Sequence, residues 1–212
     1  MKRGGYLITF EGGEGSGKSS QIRFAASYVR GEGRKALVVR EPGTTKIGEQ
    51  VRKILLNPRH LSMAVETELF LYLAARAQLV REVIRPALRS GKVVISDRFE
   101  DSTIAYQGYA GGLPLVGVRG RVPRFMEFAR GTLVPDLTFF LDVEARKGLR
   151  RSGRKDRMER KSVGFHERLR RGYYAIARKN RKRFVVIPSG CSKSEVRKQI
   201  RAVLDRVFSR TR

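Results

Sequence analysis

The chain has 212 residues, of which 41% are hydrophobic, and 46 Lys+Arg against 20 Asp+Glu give a net charge of +26. That length supports one domain with a substantial core, and the apolar share excludes a disordered chain. The lone Cys191 excludes an internal disulfide and a cysteine-based zinc site. No apolar run reaches the roughly 20 residues of a membrane span and no leader precedes the first apolar run, so a cytoplasmic protein is expected. The charge implies affinity for polyanions, including non-specific affinity for nucleic acid, although no nucleic-acid recognition signature is present.

In chain order, Tyr6–Phe10 is an apolar, β-prone run, and Gln21–Arg30 is helical. Lys35–Arg40 reads as a second strand, halted by Glu41-Pro42-Gly43. Ile47–Leu56 is helical and closed by Asn57-Pro58, and Ala64–Arg89 is one long helical pattern with a kink expected before Pro86. Lys92–Asp97 is a buried-type strand, Ser102–Gln107 a short helix and Gly108–Gly120 a glycine-rich loop. Pro123–Arg130 is helical, Leu137–Asp142 a strand and Glu144–Arg151 helical. Gly164–Lys179 is the next helix, Arg183–Ile187 the last strand and Ser194–Phe208 the last helix. Strands alternating with helices, without repeat or linker, predict an α/β fold with a five-stranded parallel sheet covered on both faces, in one domain over 1–212.

Between the first strand and helix lies Gly12-Gly13-Glu14-Gly15-Ser16-Gly17-Lys18-Ser19, followed by Ser20. Gly12, Gly17, Lys18 and Ser19 occupy the fixed places of G-x-x-x-x-G-K-[ST], in the strand–loop–helix context that makes this pattern a phosphate site. Glycines let successive N–H groups point inward at phosphate oxygens, and the helix N-terminus adds its positive end. Lys18 is placed to reach the β- and γ-phosphates of ATP, and the Ser19 hydroxyl to ligate Mg²⁺.

In parallel sheets the ligand sits beyond the carboxyl ends of the strands, which here carry Glu11, Arg40-Glu41, Asp97-Arg98 and Asp142. Asp97 is a candidate second partner for Mg²⁺, with a helix-initiating role as the plainer reading. Arg98 is suited to grip a second phosphate bidentately. Tyr72 and Arg76 share a helix face and could hold a base, although on spacing alone a core aromatic with an arginine at its edge is the commoner arrangement. Thr103, Tyr106 and Gln107 share another face, and a glutamine amide can pair with a base edge. Basic residues crowd 150–162; such a run is either a solvated face or a lid that closes over phosphates and supplies an arginine.

Taken together, these motifs resemble the thymidylate kinase family of nucleoside monophosphate kinases. The resemblance is carried by the glycine loop, Arg40-Glu-Pro-Gly43, Ala74-Ala-Arg76, Asp97-Arg98-Phe99 and Ser102-Thr-Ile-Ala-Tyr-Gln-Gly108. Pro135–Asp142 and Asp156-Arg157 before Phe165-His-Glu167 complete it, in family order. It implies a P-loop NTPase-type sheet with a short basic lid, the reaction of ATP and dTMP to ADP and dTDP with Mg²⁺, and a homodimer. It also implies that Lys18 and Ser19 hold the ATP phosphates and metal, and that Glu14 contacts the dTMP sugar or the metal region. Arg52 and Arg98 would clamp the dTMP phosphate, near Ser102. Tyr72 would stack on thymine, Arg76 and Gln107 would read it, and Tyr106 would crowd the 2′ position. Three positions depart from the family pattern: Tyr72 replaces the usual phenylalanine, Gly43-Thr44-Thr45 replaces Gly-Gly-Thr, and Gly15 stands where one branch has an arginine. The change at Thr44 is expected to alter a turn and shift Arg40 and Glu41. Without a loop arginine, the lid is expected to supply one, from Arg151, Arg154 or Arg157. Three other readings compete: a sibling kinase for deoxynucleosides or another monophosphate, a basic protein that binds nucleic acid and uses ATP as a switch, and a degenerate, inactive kinase.

Overall fold

The computed structural model describes residues 4–114, 121–153 and 156–209. In chain order these form β1 (Tyr6–Glu11), α1 (Lys18–Gly31), β2 (Ala36–Arg40), α2 (Lys46–Leu56), α3 (Val65–Leu79) and α4 (Arg85–Arg89). Then come β3 (Val93–Asp97), α5 (Glu100–Thr103), α6 (Arg121–Arg130), β4 (Leu137–Asp142), α7 (Ala145–Ser152), α8 (Val163–Lys179), β5 (Phe184–Pro188) and α9 (Lys193–Ser209). The five strands are parallel, in the order β2-β3-β1-β4-β5. β1 is central: Ile8 is in register with Ile95 on one side and Leu137 on the other. The chain winds first to one side of β1 and then to the other, so the crevice beyond its carboxyl end is the topological switch point of the sheet.

The strands are nearly all apolar because both faces are covered. Ile22, Ala25 and Val29 of α1 and Ile200 and Leu204 of α9 bury one face against Ile8, Ile95 and Phe139. On the other face, Leu79 and Ile84 pack on Leu7, Val39 and Val94, while α8 places Leu169 and Tyr173 against Phe140. Local capping sets three helix starts: Thr45 Oγ1 accepts from Gly48 N at 2.9 Å, Ser162 Oγ from Phe165 N at 3.2 Å, and Ser192 Oγ from Glu195 N at 3.2 Å. α1 starts differently, on Gly17 in the left-handed conformation (φ 88°) with no side-chain cap, so its first N–H groups open into the switch-point crevice.

The kink expected before Pro86 is a π-helical turn, Val80–Ile84, joining α3 to α4. Proline cannot donate to the helix ladder and its ring crowds the carbonyl four residues back, and the wider turn relieves both. The helix expected from Ser102 begins at Glu100, with Glu100 and Asp101 in its first turn, and continues as a π-helical segment over Ile104–Ala110. The glycine-rich loop expected from Gly108 therefore starts only after Ala110; 115–120 lie outside the described residues. At Thr44 the turn is held by the threonine itself, which takes φ 72°, and its hydroxyl both accepts from Arg40 N at 2.9 Å and donates to Arg40 O at 3.2 Å.

Candidate active site

The glycine loop closes on itself around Lys18. Lys18 Nζ donates to Gly12 O at 3.1 Å, Gly13 O at 3.0 Å and Ser16 Oγ at 3.4 Å. Residues 14–20 line a cavity of about 810 Å³, together with Arg40, Glu41, Arg52, Asp97, Arg98 and Arg151. Gly12 and Gly13 lie behind that wall and contribute their carbonyls to Lys18. Gly12 has φ 143°, and a Cβ there would lie 2.5 Å from Leu141 O, so both conformation and space demand glycine.

Arg98 ties the loop to the rest of the site. It follows β3 with φ 72°, held by its N–H donating to Phe10 O at 3.0 Å. Its Nη1 donates to Gly12 O at 3.0 Å, Ser102 Oγ at 3.3 Å and Tyr173 OH at 3.5 Å, and its Nη2 to Glu14 Oε1 at 2.9 Å. The guanidinium also lies over the Tyr106 ring, 4.8 Å from its centroid, while the Tyr106 hydroxyl donates to Glu14 Oε1 at 2.5 Å. Burial by itself would raise the Glu14 carboxyl, but the Arg98 and Lys18 charges outweigh it and hold Glu14 at about 2. Burial lowers Lys18 and is reinforced by Arg98, against the pull of Glu14, Asp97 and Glu11.

Beneath Arg98 lies Glu11. Its Oε1 accepts from Phe99 N at 2.8 Å, and its Oε2 from Ser102 Oγ at 2.5 Å and Tyr173 OH at 2.9 Å. Full burial and the neighbouring Asp101 push the Glu11 carboxyl up to about 7 against the opposing pull of Ser102, Arg98 and Tyr173. Two glutamates three residues apart thus titrate in opposite directions: Glu14 faces two cations, and Glu11 lies deeper beside another acid.

A second cleft, of about 80 Å³, opens off the same point and shares Glu14, Glu41, Arg52 and Arg98 with the first. Tyr72, Ser102, Thr103, Tyr106 and Gln107 line it, so α3 and the helix after β3 bring together the aromatic, hydroxyl and amide groups expected from the sequence. Arg52 Nη1 donates to Pro42 O at 2.9 Å. Arg76 is almost fully buried and lies outside the lining; its Nε donates to Glu41 Oε2 at 2.8 Å and its Nη2 to Phe99 O at 3.0 Å, leaving Nη1 buried without a partner.

The lid candidates separate. Arg151, on α7, lines the large cavity and donates from Nη1 to Ser189 O at 3.3 Å. Arg154 lies outside the described residues. Arg157 lines neither cavity: it is buried, with Nη2 2.6 Å from Glu68 Oε2 and Nε donating to Leu55 O at 2.6 Å. Its ion pair with Glu68 occupies the group that a phosphate would need. The geometry also accounts for Gly15. A side chain there would run into the Gly148 carbonyl oxygen of α7, and one at Gly148 into the Glu14 carbonyl. A loop arginine is thus sterically excluded by the helix that carries Arg151.

Asp97 Oδ1 is a buried oxygen with no hydrogen-bond partner, and Asp97 lines the cavity together with Ser19. One carboxylate and one hydroxyl at the phosphate end suit Mg²⁺, which keeps several waters and takes its remaining ligands from phosphates. Asp142, by contrast, is held bidentately by Arg170 at 2.6 and 2.8 Å and lines neither cavity. Two residues that brace the site carried no local signal. Tyr173 reads as an ordinary core aromatic of α8, and Glu68 as a surface acid near the start of α3, yet both are buried and hydrogen-bonded to site residues.

A thymidylate kinase family model matches residues 10–200. Thymidylate kinases from Desulfovibrio desulfuricans and Symbiobacterium thermophilum are 42% and 44% identical to this chain, each over 96% of it, and over 97% and 94% of their own lengths. The crystal structure of thymidylate kinase from Ehrlichia chaffeensis superposes with a TM-score of 0.75 at 32% identity, over 94% of this chain and 98% of that one. With the loop, the paired clefts and these relatives in agreement, the chain belongs to the thymidylate kinase family and is a nucleoside monophosphate kinase.

Proposed function

We propose that this chain transfers the γ-phosphoryl group of ATP to dTMP, giving ADP and dTDP. The observation that carries the reading is the junction of the two clefts: the loop cavity and the Tyr72–Gln107 cleft meet at Glu14, Arg52 and Arg98, so a donor and an acceptor phosphate would converge there. Lys18, the loop N–H groups and the start of α1 hold the donor phosphates. Arg52 and Arg98 hold and orient the acceptor phosphate, which is already an anion at neutral pH and requires no general base. Ser19 and Asp97 would hold Mg²⁺, which when bound neutralises phosphate charge. Tyr72 stacks on thymine, Gln107 reads its edge, Arg76 lies behind the lining with only Nη1 left as a donor for the base, Ser102 fixes the Arg98 side, and Tyr106 with Glu14 bounds the sugar. Catalysis is alignment plus charge stabilisation.

The test is phosphoryl transfer with ATP and Mg²⁺ across dTMP, dUMP, UMP, dCMP, AMP, GMP and thymidine. Fast ADP release with dTMP, weaker with dUMP and near zero with the rest is the expected pattern. Turnover of thymidine would support the deoxynucleoside kinase, and ATP binding without transfer to any acceptor would support the nucleic-acid switch, a reading on which the comparisons lend no support.

Arg151 is the arginine that serves the transferring group. Arg151→Ala is expected to lower kcat by roughly two to three powers of ten while changing the dTMP KM little. Steady-state kinetics check this; an unchanged kcat would move the role elsewhere, Arg154 being the other lid candidate. The protein works as one cytoplasmic domain, and no helix among the described residues is long and apolar enough to cross a membrane. It assembles as a homodimer through α3 and α6, where Phe70 and Phe125 pack edge to face at the surface and Phe128 is 89% exposed. Phe128→Asp is expected to shift the sedimenting species from twice the chain mass to one chain mass. The net charge of +26 adds non-specific, salt-sensitive affinity for nucleic acid.

A further inference from the structure

The base-reading end of the acceptor cleft contains a hydrogen bond that settles which way an amide faces. Gln107 is buried and lines the cleft, and its Nε2 donates to Glu68 Oε1 at 2.6 Å. Glu68 is equally buried; its other oxygen lies 2.6 Å from Arg157 Nη2 and 3.6 Å from Lys161 Nζ. A carboxylate paired in this way offers only acceptors, so the Gln107 NH₂ must face it. Gln107 Oε1 is then turned away from Glu68, and no residue among those described donates to it. Thymine presents an N3–H donor beside a carbonyl at C4. Cytosine presents a bare N3 acceptor beside an amino group. An amide oxygen locked toward the base matches the first edge and opposes the second. Arg76 has the complementary character: with Nε and Nη2 occupied by Glu41 and Phe99, its buried Nη1 remains a donor suited to a carbonyl and not to an amino group.

We infer that Glu68 is a positioning residue for base choice. By holding the Gln107 NH₂ it makes Gln107 an acceptor toward the base, and so selects pyrimidines with an N3–H over cytosine. Uracil shares that edge, so Glu68 does not separate dUMP from dTMP. The inference rests on reading the cleft as the site for the thymidylate base.

The experiment compares kcat/KM for dTMP and for dCMP in the wild-type chain and in Glu68→Gln. A glutamine at 68 can itself donate, which allows Gln107 to turn its NH₂ toward the base. The dTMP:dCMP preference is expected to narrow by about 10- to 100-fold, mainly through a higher dTMP KM, with kcat at saturation changed only several-fold. Arg157→Gln serves as comparator: it breaks the ion pair but leaves Oε1 in place, so its thermal midpoint should fall while the preference stays. An unchanged preference in Glu68→Gln, or an equal narrowing in Arg157→Gln, would overturn the inference. A wild-type chain without dTMP preference would instead overturn the function on which it rests. Should Glu68→Gln not fold because a guanidinium is stranded, the double variant E68Q/R157L removes that charge and carries the same readout.

Discussion

Arg98→Ala is expected to lower kcat/KM for phosphoryl transfer to dTMP by roughly three to five powers of ten, the worth of one well-placed arginine in related phosphoryl transfers. The guanidinium stands where both clefts meet and spans Gly12 O and Glu14 Oε1, 3.0 and 2.9 Å away, so it links the glycine loop to the second cleft. Its loss removes a charge and also the alignment of two phosphates. Most of the effect should therefore fall on kcat. The substitution also leaves Glu14 with Lys18 as its nearby cation, so the Glu14 carboxyl is expected to rise from about 2. Arg98→Lys tests geometry against charge: an ammonium keeps the sign but loses the planar fork that reaches both partners, so it should recover only a small part of the rate. Near wild-type turnover in a folded Arg98→Ala chain would contradict the assignment.

Lys18→Ala is expected to lower kcat by roughly three powers of ten or more, because Lys18 is the positive charge at the centre of the glycine loop. Its Nζ is held by carbonyls of the loop itself, at 3.0 and 3.1 Å, and can follow a phosphate without rebuilding the backbone. Alanine is the best helix former and sits at the first position of α1, so the loop and its N–H groups should survive. ATP binding, followed by calorimetry, is accordingly expected to weaken much less than turnover. Loss of binding and turnover in equal measure would mean that Lys18 only tethers ATP; wild-type kcat would remove it from the site.

The strands and the glycine loop were legible in the chain because both depend on local chemistry. A strand buried on both faces must be largely apolar, as in Leu137–Asp142 with Leu137, Phe139, Phe140 and Leu141, and a phosphate loop must place glycines, lysine and hydroxyl at fixed spacing within a few residues. Candidate acceptor residues were legible as residue types on helix faces, since Tyr72 and Arg76, or Thr103 and Gln107, are four apart and so neighbours through helical geometry alone. Their partners were not. Arg98 meets Glu14 across 84 residues of chain, Glu11 meets Tyr173 across 162, and Gln107 meets Glu68 across 39. Such pairings depend on the winding of the sheet, which brings the ends of β1 and β3 and the side of α8 together beyond the carboxyl ends of the strands. The same holds for the arginines of the basic run. They look alike in sequence, yet packing buries Arg157 against Glu68 and sets Arg151 beside the loop, where contact between Gly15 and Gly148 leaves no room for an arginine on the loop itself. Residue type and spacing carried the reaction class; long-range burial and charge pairing decided which of those residues come together.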